Sequence, residues 1–379
     1  MPMAHPIRTV AVLGAGNGGC AAAADLTHRG FAVHLFSRTR ATLQPILDRG
    51  GLELTGVVGE GFLRLARITD RIDEALDGAD LIMTATPIPA LEYFAQVLAP
   101  HLRPGQVLFF NPGQAGGGLF FHRGLRRHGG PPVRSVETPT LTYGTRMPAP
   151  AKTWIKTKVR NLPCAAFPGR DREELLAIVR QLYPVLEPAA NVLETALYDV
   201  NAVEHPPGMV CNAGWIEHTR GDFRFYVEGL SPSVARVVED VDAERLAIIR
   251  ALNDRTGMGI RVESFPEYFF RLGYTTVPPS GPGSLVKQQQ GSPGNTVTQA
   301  PDRLDHRYMH EGIGFGLVPL REIARALGAP TPLMDSLIRL ASSLMGQDYF
   351  RTGLTLEKMG LADRPVGSWG RFLEDGYGD

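Results

Sequence analysis

The chain has 379 residues, with 39 basic and 39 acidic side chains and therefore no net charge at pH 7. This length predicts two domains, and the charge balance argues against nucleic acid or a membrane surface as a partner. The three cysteines are scattered and form no CxxC pair, which argues against a structural zinc site and favours a reducing compartment. Residues 1–6 lack the pattern of a signal peptide, so we expect a cytoplasmic protein.

A glycine-rich turn follows the first predicted strand. Residues 10–13 read Val-Ala-Val-Leu, and the spacing Gly-x-Gly-x-x-Gly follows directly, ahead of a predicted helix. The first glycine of this motif permits a tight turn, the second lets backbone approach a pyrophosphate, and the third lets the helix pack on the strand. The helix N-terminus also favours an anion. We therefore expect a dinucleotide to bind at Gly14, Gly16, Asn17, Gly18 and Gly19.

The end of the second predicted strand, 31–36, bears on the choice of cofactor. NAD enzymes usually carry Asp or Glu there for the ribose 2′-hydroxyl. This chain has Ser37 and Arg38 instead, followed by a second arginine at Arg40. A hydroxyl and guanidinium groups suit a 2′-phosphate, so the sequence favours NADP and leaves NAD open.

Later strands of the same alternating α/β region end in further candidate residues. Ligands in such sheets bind beyond the carboxyl ends of the strands. Thr86 and Pro87 follow the strand predicted at 81–85, and Gln114 follows the one at 107–110, so we assign these three residues to the cofactor. Segments 154–159 and 164–167 are predicted to form a closing β pair, and this domain is predicted to span 1–186. After the strand at 133–136, the residues assigned to substrate binding are Glu137, Tyr143 and Arg146.

Residues 187–379 have helical periodicity and predict an all-α second domain. One long helix is predicted from Asn191 onward, with Asn201 and His205 one turn apart on one face. Pro206 and Pro207 should kink it. Reduction of a C=O or C=N bond needs a proton donor, and histidine titrates near neutrality, so this His is the candidate general acid.

Five motifs together resemble the opine dehydrogenase family, which includes the octopine and nopaline enzymes. They span nearly the whole chain, and the last two are the most specific: Gly14 to Gly19, the Asn-Pro-Gly-Gln turn at 111–114, Glu-Thr-Pro-Thr-Leu-Thr-Tyr at 137–143, Asn-Ala-Val-x-His-Pro at 201–206, and the segment 306–319. The resemblance implies a Rossmann domain, then a helical domain similar to the C-terminal domain of 6-phosphogluconate dehydrogenase, with a cleft between them. It also implies reductive condensation of an α-keto acid with an amino acid.

The resemblance also implies roles for single residues. His205 matches the catalytic histidine of the family, Arg307 the arginine that binds a substrate carboxylate, and Gln114 a glutamine near the nicotinamide. One position departs from the pattern, because Glu311 is followed by Gly312 where family members commonly have an aspartate that pairs with the histidine. Glu311, Asp305 and Glu204 are then the candidate carboxylate partners, and Glu311 and Asn201 are assigned with His205 to catalysis.

Several alternatives stay open from the sequence. A ketone reductase resembling ketopantoate reductases would share the two-domain plan but needs a lysine on the helical domain, and segment 191–217 has none. A non-catalytic NADP-binding sensor is the third hypothesis.

Segment 278–301 is rich in Pro, Gly, Ser and Gln and is predicted to be an irregular loop, either a lid or a connection. No metal is expected, small molecules are the expected partners, and a homodimer is left open.

Overall fold

A computed structural model describes residues 6–377. The described chain divides into two compact units, one comprising 6–113, 117–192 and 372–377, the other comprising 114–116 and 193–371. Residues 1–5 and 378–379 lie outside the described residues, so the signal-peptide prediction falls largely outside them as well.

The first unit is a Rossmann-like α/β domain in which strands and helices alternate. Its strands are β1 Thr9–Leu13, β2 Ala32–Phe36, β3 Gly51–Gly56, β4 Gly61–Arg64, β5 Arg67–Thr69, β6 Leu81–Thr84, β7 Val107–Phe110, β8 Arg134–Glu137, β9 Tyr143–Ala149, β10 Lys152–Lys158, β11 Leu162–Phe167 and β12 Leu186–Pro188. Its helices are α1 Asn17–His28, α2 Arg40–Arg49, α3 Ile72–Leu76, α4 Leu91–Leu98, α5 Gly117–Arg127 and α6 Arg172–Arg180.

The main sheet has eight strands in the order β12-β11-β8-β7-β6-β1-β2-β5. All neighbours are parallel except β11 and β8, and the central strands β1, β6 and β7 are buried along nearly their whole length. Such continuous apolar runs are typical of parallel strands that are covered on both faces. The order reverses between β1 and β6, which is the crevice where dinucleotides bind in this architecture.

A second sheet has four strands in the order β4-β3-β10-β9. The prediction that segments 154–159 and 164–167 pair with each other is wrong, because β10 pairs with β9 and β3 while β11 pairs with β8 and β12 in the main sheet. Both segments have strand composition, and strand composition does not encode which partner a strand takes. The small β excursion after α2 is present as the antiparallel pair β3–β4.

The second unit is helical. Its elements are α7 Val192–Leu197, α8 Asn201–Cys211, α9 Ala213–Thr219, α10 Pro232–Thr256, α11 Phe265–Arg271, α12 Ser284–Gln290, α13 Arg307–Met309, a π-helix His310–Leu317, α14 Val318–Leu327, α15 Pro332–Met345, α16 Tyr349–Thr352, α17 Leu356–Met359 and α18 Trp369–Asp375, whose last residues belong to the first unit. The 25-residue α10 packs against α8 and α14. None of the helices in the described part is long and apolar enough to cross a membrane.

Two sequence-based expectations for this unit are corrected. The long helix from Asn191 is divided into α7 and α8. Pro206 and Pro207 lie inside α8, and the kink expected there stays a prediction. The segment 278–301 is not wholly irregular, because it contains α12, where Gln288 and Gln289 are fully buried. The Gln288 amide donates to the carbonyl oxygens of Pro266 and Val277, so this segment is anchored by side chains whose polarity suggested exposure.

Candidate active site

The glycine turn of the first unit has the geometry that its spacing predicts. Gly14 has φ +116°, and a Cβ there would lie 2.6 Å from Thr86 Cγ2. A Cβ on Gly19 would lie 1.7 Å from the Gly14 carbonyl oxygen, whereas one on Gly16 would have no atom within 4 Å. The first and third glycines are therefore required by the fold. The second leaves open space at the start of α1, where an anion can approach backbone N–H groups.

The other two fingerprint residues hold this turn against β9 and the segment before it. The Asn17 Oδ1 atom accepts a hydrogen bond of 2.8 Å from the Met147 backbone N–H. A Cβ on Gly18 would stand 2.8 Å from a methyl carbon of Leu141. The hydrogen bond fixes the first turn of α1, where the sequence predicts the pyrophosphate, and the missing side chain at Gly18 lets Leu141 pack there.

Two exposed arginines follow β2, and one of them is paired with a carboxylate. Arg40 lies 3.3 Å from the Asp70 carboxylate, so its charge is partly balanced. Arg38 is exposed, and its guanidinium carbon lies 5.5 Å from the centroid of the Tyr93 ring. Ser37 is buried, with its backbone N–H bonded to the Thr69 carbonyl. Of the two arginines, Arg38 thus has the charge that is available to a phosphate.

Two predicted cofactor residues hold polar atoms that the protein leaves unsatisfied. The Thr86 Oγ1 atom and the Gln114 Oε1 atom are buried and have no hydrogen-bond partner among the described residues. Gln114 also adopts φ +50°, which costs energy for a residue with a side chain. Pro87 is exposed beside Thr86. Buried amide and hydroxyl oxygens of this kind are suited to a bound carboxamide or hydroxyl group.

Two of the three predicted substrate residues of the first unit are part of its core. Tyr143 is 2% exposed, and its hydroxyl donates to Asp25 at 2.6 Å and lies 3.0 Å from the Tyr183 hydroxyl. Glu137 is 1% exposed and accepts the Gly118 N–H at 3.1 Å, at the start of α5. A carboxylate stabilises a helix N-terminus, so Glu137 has a structural function there. The prediction that these two residues contact substrate is not supported by their positions.

Arg146 lies on β9, where it pairs with Trp154 of β10. Burial and the neighbouring Arg146 guanidinium lower the pKa of Lys156, so the two cations are close. Arg146 is only half-buried, and its guanidinium donates to the Thr145 carbonyl. The structure therefore leaves Arg146 accessible, and its assignment to substrate remains a prediction.

In the second unit, His205 lies in the middle of α8 among aromatic rings. It is 8% exposed, and its ring stacks on Tyr308 with centroids 3.8 Å apart and an angle of 12°. Its Nε2 atom lies 2.8 Å from the Tyr226 hydroxyl, which in turn lies 3.2 Å from the Tyr308 hydroxyl. Asn201 is the first residue of the same helix, and its N–H donates to the Asp199 carboxylate at 3.2 Å.

Arg307 and Glu311 lie on the α13 and π-helix segment that packs against α8. The Arg307 side chain is 53% exposed, and its guanidinium carbon lies 5.4 Å from the Tyr308 ring centroid. The Glu311 carboxylate is 3.8 Å from Arg307, too far for a close ion pair. One ring, that of Tyr308, thus contacts both the imidazole of His205 and the guanidinium of Arg307. π-helical segments occur frequently at functional sites.

Two of the three candidate carboxylate partners of His205 bind other groups. Asp305 lies 2.8 Å from the Nε2 atom of His310. Glu204 accepts a hydrogen bond from the Gln289 amide, and burial raises the pKa of Glu204 to about 8. Glu311 is the candidate that remains, and its pairing with His205 stays a prediction.

Three residues of this cluster were missed by sequence reasoning: Tyr226, Tyr308 and Asp199. Asp199 is buried, and burial together with the nearby Glu311 charge raises its pKa to about 8. Tyr308 stands next to Arg307 within a recognised motif, so its position offered a signal. Tyr226 stands in an aromatic run without periodicity, and its contact with His205 spans 21 residues, so nothing local indicated it.

Comparisons with known proteins identify related dehydrogenases. Residues 188–345 match the family model described as the α-helical domain of NAD/NADP octopine/nopaline dehydrogenase, and residues 10–114 match the ketopantoate reductase PanE/ApbA model. The chain is 34% identical over 355 residues to an opine dehydrogenase of Arthrobacter sp. (strain 1C), covering 94% of this chain and 96% of that protein.

Solved structures show the same fold. A structure of octopine dehydrogenase with NADH and L-arginine superimposes with a TM-score of 0.75 at 18% identity, covering 98% of this chain and 99% of that one. A yersinopine dehydrogenase with NADP+ bound has a TM-score of 0.67 at 14% identity, with 96% and 99% covered. The extent and identity of the sequence match establish that the chain belongs to the opine dehydrogenase family of NAD(P)-dependent oxidoreductases.

Proposed function

We propose that this protein catalyses the NADPH-dependent reductive condensation of an α-keto acid with an amino acid, and the reverse reaction. The observation that carries the proposal is the contact of one ring, Tyr308, with both His205 and Arg307 in a helical domain of the opine dehydrogenase family. This arrangement holds a general acid beside a carboxylate-binding group, which imine formation and reduction both need.

NADPH is proposed to bind to the first unit. The open space at Gly16, the unsatisfied Thr86 Oγ1 and the exposed Arg38 support this fit. Gly14, Gly18, Gly19 and Asn17 would hold the turn around the pyrophosphate, and Ser37 and Arg38 would take the 2′-phosphate. Gln114 and Pro87 are proposed to lie near the nicotinamide. When bound, the reduced nicotinamide supplies the hydride that converts the imine to a secondary amine.

The residues of the second unit are proposed to bind substrate and move protons. Arg307 binds a substrate carboxylate through its exposed, planar guanidinium. The amino group attacks the keto carbon as the free amine, and proton transfer from its nitrogen to the oxygen gives the carbinolamine. His205, as imidazolium, then donates its proton to the carbinolamine hydroxyl, which leaves as water. Glu311 stabilises that imidazolium, and Asn201 orients a polar substrate group. The raised pKa of Asp199, to about 8, keeps a second negative charge away from Glu311 near neutral pH.

The test is oxidation of NADPH in mixtures of α-keto acids and amino acids, with the product identified by mass spectrometry. We expect turnover that requires both substrates and yields an N-substituted amino acid. Reduction of the keto acid without the amine would identify a ketone reductase instead. NADPH binding without any turnover over a broad substrate panel would favour the sensor. In the active case, His205→Asn should lower turnover by about 10² to 10⁴-fold and leave NADPH affinity nearly unchanged.

We also propose that the protein works in the cytoplasm on small molecules. The balanced charge and the three cysteines, which are all free thiols, support this proposal. Fractionation of the native cells, with antibody detection of the chain, tests it.

A further inference from the structure

Tyr226 is a residue outside the motifs of the family resemblance that bonds directly to the proposed general acid. Its hydroxyl lies 2.8 Å from the His205 Nε2 atom and 3.2 Å from the Tyr308 hydroxyl. All three side chains are nearly buried, with exposures of 8% for Tyr226, 8% for His205 and 6% for Tyr308. The three groups therefore form a hydroxyl–hydroxyl–imidazole chain that is largely shielded from bulk water.

The fold holds Tyr226 at this place through specific contacts. A Cβ on Gly208 would lie 2.6 Å from the Phe225 ring, so this glycine of α8 lets the segment with Phe225 and Tyr226 approach the helix. The Phe225 N–H donates to the Thr298 carbonyl at 3.0 Å, and the Ala300 N–H donates to the Phe223 carbonyl at 2.8 Å. The segment that the sequence suggested as a lid thus supports Tyr226.

We propose that Tyr226 is a positioning residue that fixes the His205 imidazole and stabilises its protonated form. When Nε2 carries a proton, the Tyr226 oxygen accepts it in a hydrogen bond and the Tyr226 O–H donates to Tyr308. When Nε2 carries no proton, the Tyr226 O–H donates to Nε2. Hydrogen bonds to a charged group are stronger than those to a neutral one, so the hydrogen bond from His205 to Tyr226 favours the imidazolium. This inference rests on the proposed role of His205.

Most other charged groups around His205 have contacts of their own, and Glu311, proposed above to stabilise the imidazolium, is the exception. On the same helix, Glu204 is bonded to Gln289. Before it, Asp199 accepts from the Asn201 N–H. On α13 and the π-helix, Arg307 and Glu311 face each other at 3.8 Å.

The two long helices that pack against α8 also carry charges. On α10, Asp242 and Arg245 form a buried ion pair with each other. On α15, Asp335 bonds Arg321, and Arg339 lies over the Phe350 ring. Each of these charges has a partner of its own, whereas Tyr226 contacts the imidazole directly.

The test is Tyr226→Phe, which removes one oxygen and keeps the ring. We expect the His205 pKa, read from the alkaline limb of the reductive kcat/KM profile, to fall by about one pH unit, with a roughly tenfold lower rate at alkaline pH. Histidine NMR titration of the enzyme without substrates, with the His205 resonance identified by His205→Asn, should show the same change independently of activity. Tyr308→Phe removes the hydroxyl that accepts from Tyr226, so it should also lower the His205 pKa, but by less than Tyr226→Phe does.

Tyr349→Phe is the matched control, because the Tyr349 hydroxyl bonds the Nδ1 atom of a different histidine, His310, at 2.7 Å. It should leave the pH profile unchanged. An unchanged His205 titration in both Tyr226→Phe and Tyr308→Phe would overturn the inference. Full activity of His205→Asn would instead overturn the proposed function, so the two failures are distinguishable. If Tyr226→Phe fails to fold, the Tyr308→Phe titration alone tests the inference, and an unchanged His205 pKa in that variant overturns it.

Discussion

Gly312 lies directly against Pro206. A Cβ on Gly312 would stand 3.1 Å from the Pro206 Cδ atom and 3.5 Å from the Cβ atom of His205. The π-helix and α8 therefore meet at their backbones beside the proposed general acid. Any side chain at position 312, including the aspartate common in this family, requires Pro206 to shift.

Gly312→Ala is expected to destabilise the second unit and to reduce turnover. Pro206 must give by a few tenths of an ångström to admit the methyl group, so we expect a cost of about 1 kcal/mol. The displacement of His205 should lower the rate by less than the roughly 10²-fold that a misplacement of about 1 Å can cost. Thermal unfolding and kcat measure the two effects. Gly214→Ala is the control, because a Cβ there meets no atom within 4 Å. Equal stability and turnover in Gly312→Ala and the wild type would contradict this expectation.

Arg307→Lys keeps the charge and removes the planar guanidinium group, which can donate to both oxygens of a carboxylate. Loss of a bidentate carboxylate contact should lower kcat/KM by about 2 kcal/mol, or roughly 30-fold, mainly through a higher KM for the carboxylate substrate. Initial rates at varied substrate concentration measure this change. Arg303→Lys is the matched control, because Arg303 is exposed and lies 3.5 Å from Asp302. An unchanged KM in Arg307→Lys would exclude the proposed carboxylate contact.

Arg38→Gln should weaken NADPH and spare NADH. The guanidinium is proposed to bind the 2′-phosphate, which NADH lacks, so we expect the KM for NADPH to rise about tenfold or more. Arg40→Gln serves for comparison, since Arg40 is paired with Asp70 and should matter less. If both variants raise the KM for NADPH equally, or if Arg38→Gln affects NADH as strongly, the assignment of Arg38 is wrong.

Glu204→Gln should make stability less dependent on pH. The folded pKa of Glu204 is raised to about 8 by burial, whereas in an unfolded chain it is about 4.3. Its favourable contribution is therefore complete below the unfolded pKa and is lost as pH rises through the folded value. Glutamine stays neutral and retains an oxygen for the Gln289 amide, so the variant should be more stable than the wild type at about pH 9. The gain is at most about 1.4 kcal/mol for each pH unit that separates the folded from the unfolded pKa.

Urea unfolding at about pH 5 and about pH 9 measures this effect. The advantage of Glu204→Gln over the wild type should shrink at the lower pH. The exposed Glu217→Gln is the matched control and should show no such trend. Asp199 has a pKa raised in the same direction, but it is present in both proteins and cancels in the comparison.

Local sequence determined the glycine-rich turn at 14–19 and the alternating strands and helices of the first unit. The glycine spacing predicts the tight turn and the close approach of Gly19 to the Gly14 carbonyl oxygen, and the alternation of strands and helices follows from apolar runs between turns. The motif at 201–206 likewise predicted that Asn201 and His205 share a helix. These features depend on residues close in sequence, so pattern and spacing were sufficient to predict them.

Tertiary structure decided which side chains meet. Tyr143 and Glu137 were assigned to substrate because they follow a strand, yet their partners, Asp25 and Gly118, lie far away in sequence and bury them. The bond between Tyr226 and His205, and the absence of room at Gly312, likewise arise from segments brought together only by folding. Periodicity fixes the face on which a residue lies, whereas its hydrogen-bond partner depends on the packing of distant elements.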